Sequence, residues 1–210
     1  MCSIVADRKY VGEQKERIRM ERLAEELLAN HCMPALLHVK PSALVAVDRR
    51  KVIDLEEFLD IVYHMVRSFH CELYLLSQVG KRISLLIYSD TLLYHCLTNS
   101  TQMQFLARFG YEFHEDILCG ILLKVKERYI NYLSKKAPFP HEIGVILGYP
   151  VGDVEGFILN HGKNYLLCGA WKVYEEPAAA EKIFAEYQEI RERARLYLQA
   201  GGSITEFLRE

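Results

Sequence analysis

FPHEIGVILGYPVGDVEGFI, residues 139–158, sets prolines, glycines, a His-Glu pair and a Tyr-Pro within twenty positions. An ordinary core helix needs none of these at that density. The stretch reads as a short helix from about Pro140 to Leu147, a stop at Gly148, a turn through Tyr149-Pro150, and a second helix ending at Asn160-His161-Gly162. The expectation is a helix-turn-helix-like corner over 139–161.

Outward from that corner the chain alternates helical and strand patterns without a strict βαβ order. Ile18, Leu23, Leu27 and Leu28 recur near helical spacing over 16–30, and Pro34 stops or redirects that helix. SALVAVD (42–48) reads as a buried strand. Asp54 with Glu57 caps the clearest amphipathic helix, carried by Leu55, Phe58, Leu59, Val62, Met65, Val66 and Phe69. CELYLLS (71–77) and RISLLIYS (82–89) form an antiparallel hairpin about a four-residue link. Further helices are expected from Asp90, over 101–109 and from about 115 to 133. After the corner come a strand over 164–174, a helix over 178–199, a Gly201-Gly202 hinge, and a Ser203-x-x-Glu206 capping box before a terminal turn. The fold class is α+β (mixed α/β): one domain over 1–210, with a small, mostly antiparallel sheet of about four strands packed by helices. Within it, 1–30 is an N-terminal helix, 31–199 the core and 200–210 a tail or short helix.

At 210 residues the chain buries a substantial core. A formal charge of −2 gives no basic face for nucleic acid or an anionic membrane. No segment approaches the length of an apolar membrane span, and the start lacks a signal-peptide pattern. The expectation is a soluble, cytoplasmic protein. Its six cysteines are widely spaced with no CxxC, so reduced thiols are expected rather than a disulfide framework.

Three segments carry a resemblance: HCMPALLHVKPSAL (31–44), the corner, and GAWKVYEEPAAAEKIFAEY (169–187). Together, in this order, they resemble the family catalogued as domain of unknown function 3793, found mainly in anaerobic Firmicutes. The resemblance covers most of the chain and implies a bacterial cytosolic protein of about this size, with no established activity. Ser89 stands where the family pattern has arginine. Ala35 and His38 stand where it has threonine and glycine.

Several residues are candidates for chemistry. Cys32, beside His31 at a proline-marked break and near Lys40, pairs in principle with His141 as thiol and base; a buried structural thiol is the competing reading. His141 and Glu142 fall in the first turn of the corner's short helix, as an acid/base pair or as a cap. Cys168, on an apolar strand, reads as core. Three His-Cys dipeptides, at 31–32, 70–71 and 95–96, suggest metal. Adjacent helical side chains diverge by about 100°, however, and no ligand spacing is present, so no metal site is expected. The corner's second helix carries Asp153 and Glu155 but no Lys or Arg, which disfavours DNA reading.

The reading that results is a small-ligand- or cofactor-binding protein, with thiol/His catalysis through Cys32, His141 and Glu142 as its enzymatic form. Ligand contacts would come from His31, Lys40, Tyr149, Trp171, Lys172 and Tyr174. The sequence names no cofactor and no protein partner. The alternative is a non-catalytic structural or protein-interaction module.

Overall fold

The computed structural model describes the backbone of residues 2–209 and the side chains of residues 12–207. Its centre is a three-stranded antiparallel sheet in the order β1-β3-β2, with β1 Ser42–Asp48, β2 Glu72–Val79 and β3 Arg82–Tyr88. β3 is the middle strand and is buried on both faces, so RISLLIY is almost continuously apolar instead of alternating. Ile83, Leu85 and Ile87 join one core cluster, while Leu86 and Tyr88 join the other. This is the two-residue period of a strand sorting side chains between two layers.

The first layer holds α1 (Cys2–His31), α2 (Met33–Leu36) and α3 (Leu55–Arg67). Met20, Leu28, Phe58 and Val62 bury against the sheet there. Asp54 caps α3 as its spacing predicts, accepting from the Glu57 N–H at 3.0 Å. Pro34 does more than end α1: it sits in the first turn of α2, where a missing N–H costs nothing. The second layer contains α4 (Asp90–Leu97), α5 (Ser100–Ala107), α6 (Ile117–Leu133), α7 (Ile143–Ile146) and α8 (Val151–Leu159). Leu93, Phe105, Ile121, Val125 and Tyr129 fill its core. The chain is thus one α+β domain built on a single central sheet, with helices on both faces.

Two expectations change at the C-terminal end. The strand over 164–174 is instead a short antiparallel ribbon, β4 (Leu167–Cys168) paired with β5 (Lys172–Val173), because Gly169-Ala170 turns the chain back. α9 (Pro177–Gln199) then packs along α1. The terminal turn forms, but Ser203 does not make a capping box. Its hydroxyl donates to Glu25 Oε1 at 2.6 Å, fastening the tail to α1.

The corner forms where the sequence places it, but its first helix is shorter than the expected 140–147, because α7 starts only at Ile143. α7 ends in a Schellman motif: the Tyr149 N–H reaches the Gly144 carbonyl at 2.9 Å, and the Gly148 N–H reaches that of Val145 at 3.0 Å. Gly148 has φ +82°, and a side chain there would also meet the Pro41 ring at 2.6 Å. The Ser42 hydroxyl donates to the Ile146 carbonyl at 2.8 Å, tying the corner to the start of β1.

Candidate functional site

α7, α8 and the β4–β5 ribbon enclose a cavity of about 360 Å³. The walls are mostly aromatic and aliphatic: Phe139, Leu147, Tyr149, Val154, Phe157 and Trp171, with His141 the polar group among the rings and Cys168 and Lys172 contributed by the ribbon.

Asp153 holds the ribbon in place. It is buried in the first turn of α8, where helix N–H groups favour an anion. One oxygen accepts the Trp171 indole N–H at 2.6 Å; the other accepts the backbone N–H of Tyr174 at 2.7 Å and of Glu175 at 3.0 Å. Gly156, a turn later, lets this segment lie close, since a Cβ there would stand 2.4 Å from the Tyr174 ring. Trp171 then stacks on Tyr149 at 5.0 Å between centroids and meets the edge of Phe184 at 4.6 Å.

His141 is half-buried, with its ring 5.3 Å from that of Phe139 and 5.0 Å from that of Phe157. Burial lowers its pKa, although the neighbouring Glu142 pulls the other way. The imidazole therefore favours its neutral form, in which one nitrogen donates and the other accepts.

Glu142 faces away from the cavity. It makes no cap bond; its fully buried carboxylate pairs with Arg128 and accepts from the Tyr111 hydroxyl at 3.3 Å, leaving Oε2 without a partner. Neither residue occupies the first turn that the sequence suggested: α7 begins only at Ile143, so Glu142 stands at its N-cap with the side chain turned inward, and His141, one residue earlier, faces the cavity.

Cys32 is not brought to His141. It is fully buried in the first-layer core, and burial pushes its thiol up to about 12 against the opposing pull of Lys40. That environment stabilises the thiol over the thiolate. His31 is exposed at the end of α1. Lys40 stands behind the cavity, its ammonium 5.7 Å from the ring centroids of both Tyr149 and Tyr187; burial lowers its pKa to about 8. Tyr174 packs on Gly156 instead of lining the cavity. Lys172 does line it, but its ammonium donates to the Gly162 carbonyl at 2.7 Å.

Cys168 corrects the sequence expectation in the opposite sense: it is exposed, at the end of β4 beside the Gly169-Ala170 turn. Asp153, Phe139 and Phe157 were not singled out as site residues. The readable signal was Gly152-x-x-x-Gly156 around Asp153, a smooth helical stripe flanking a carboxylate.

The three segments marked in the sequence converge here: the corner and the ribbon form the walls, and residues 40–42 buttress them from behind. The chain belongs to the DUF3793 family. The model described as "Protein of unknown function (DUF3793)" matches residues 28–208. No curated protein and no solved structure matches the chain. His38 has φ +57°, and its Nε2 lies 2.9 Å from the Phe69 carbonyl oxygen.

Proposed function

We propose that this DUF3793 protein binds a small, flat, uncharged ligand in the α7–α8–ribbon cavity, with His141 as its polar contact. The observation that carries this reading is a neutral-favouring imidazole set among aromatic walls around about 360 Å³, a volume typical of small-molecule sites. Lys172 is engaged with a backbone carbonyl, which argues against an anion clamp. If thiol chemistry accompanies binding, the thiol at this cavity is Cys168, not Cys32. The reading extends to a cytosolic protein with a small-molecule partner rather than nucleic acid or membrane. In support, the net charge is −2, and no described helix is long and apolar enough to cross a membrane.

Trp171 is the sole tryptophan and lies in the wall, so its emission reports occupancy directly. Titration with indole analogues that do not fluoresce at its wavelength, and with nicotinamide and adenine, should give saturable quenching for at least one probe, abolished by Phe157→Ala and weakened by His141→Ala. Unchanged emission with all of them up to millimolar concentration defeats the proposal.

One observation favours the alternative of a partner-binding module: Leu159 and Leu166, flanking the end of α8 and the start of the ribbon, are 78% and 62% exposed. Leu159→Glu would leave probe binding intact in the first reading.

A further inference from the structure

A second concavity opens where β3 runs into α4 and the chain enters α6, with a volume of about 820 Å³. Its walls combine three tyrosines, Tyr74, Tyr88 and Tyr94, with three carboxylates, Asp90, Glu115 and Asp116. Neither lysine nor arginine lines it.

The carboxylates have different duties. Asp116 caps α6, accepting the Cys119 N–H at 3.0 Å. Asp90 and Glu115 are exposed and form no ion pair among the described residues. The first turns of α4 and α6 open toward the groove, and each contributes roughly half a positive charge. Three carboxylates outweigh two such half-charges and the Lys126 ammonium that lies over the Tyr74 ring, so the groove is net negative.

Tyr88 supplies an independent indication. It is only 9% exposed, it reaches the groove wall, and its hydroxyl has no hydrogen-bond partner among the described residues. Burial, reinforced by Asp90, Glu72 and Tyr74, raises its pKa to about 12, so it remains a phenol that can accept a hydrogen bond. An unpaired hydroxyl that reaches a negative groove from a largely buried ring suits an N–H donor carrying positive charge. The wall shows the same preference internally: the Lys126 ammonium lies 5.1 Å from the Tyr74 ring centroid.

We propose that this groove is a binding site for a small organic ammonium ion, held by Asp90 and Glu115, accepted by the Tyr88 hydroxyl and covered by the Tyr94 ring. A bare metal ion fits less well, since no three His, Cys, Asp or Glu groups among the described residues gather closely enough to share one.

The test is calorimetric titration of the full chain with spermidine at pH 8 and low salt, with magnesium at matched ionic strength as competitor. Saturable binding is expected, weakened about fivefold or more by Asp90→Asn with Glu115→Gln. Tyr88→Phe, which keeps the ring, should weaken it as well, while His141→Ala leaves it unchanged. Equal melting temperatures for the carboxylate variant and the wild type show that the loss is local. Absence of saturable binding, binding that survives both variants, or displacement by magnesium at matched ionic strength overturns the proposal.

Discussion

The indole N–H of Trp171 donates to Asp153 at 2.6 Å, so a buried carboxylate on α8 fixes one wall of the first cavity. The same side chain holds the backbone at Tyr174 and Glu175, and three N–H groups depend on it. Asp153→Ala leaves them without that acceptor, and a loss of about 3 kcal/mol or more is expected in denaturant unfolding. Asp153→Asn is more discriminating. One amide oxygen can still serve the two backbone donors, but the amide nitrogen then faces the indole N–H, donor against donor. Its Trp171 emission should therefore change while most of the stability remains.

Glu142 and Arg128 form an unequal pair, fully buried on one side and one-third exposed on the other. Removing the arginine strands a charge that water cannot reach; removing the carboxylate lets the guanidinium turn outward. Arg128→Ala should therefore cost more than Glu142→Gln, toward the roughly 3–5 kcal/mol of a broken buried pair. Urea unfolding of the two variants checks the order, and equal losses would count against it.

The corner was legible in sequence because its signals are local: Gly148 takes a left-handed φ and Pro150 precedes a helix, whatever lies around them. The inward direction of Glu142 was not, because it depends on Arg128 and Tyr111, 14 and 31 residues away. Cys32 and Cys168 were hard for the same reason. A thiol's exposure is decided by which layer covers it, and neither α9 nor the ribbon turn announces that in the residues beside the cysteine. β3 misleads in the other direction, since burial on both faces erases the alternation that would assign its sides.

Thiol reactivity should follow burial. Cys119 and Cys168 are exposed, Cys96 is half-buried with a raised pKa, and burial holds Cys71 near 11 and Cys32 near 12. Alkylation of the native protein with iodoacetamide, followed by mass spectrometry, should label Cys119 and Cys168 first and reach Cys32 and Cys71 only on unfolding. Early labelling of Cys32 would revive the pairing with His141 that the fold separates.

The last prediction concerns His141 and acid. Its folded pKa lies below the ordinary value of 6.5, chiefly because burial disfavours the cation. Between those two values the unfolded chain binds the proton and the folded chain does not, so the folded state loses ground as pH falls. The loss begins as pH drops through about 6.5 and is complete below the folded pKa. His141→Gln cannot titrate there. Melting temperatures taken from pH 7.5 down to pH 5 should therefore fall more steeply for wild type than for the variant, and a ligand that needs the neutral ring should weaken over the same interval. Parallel curves would mean that the imidazole is charged or solvated, and that the cavity lacks the neutral polar contact on which ligand choice is argued to rest.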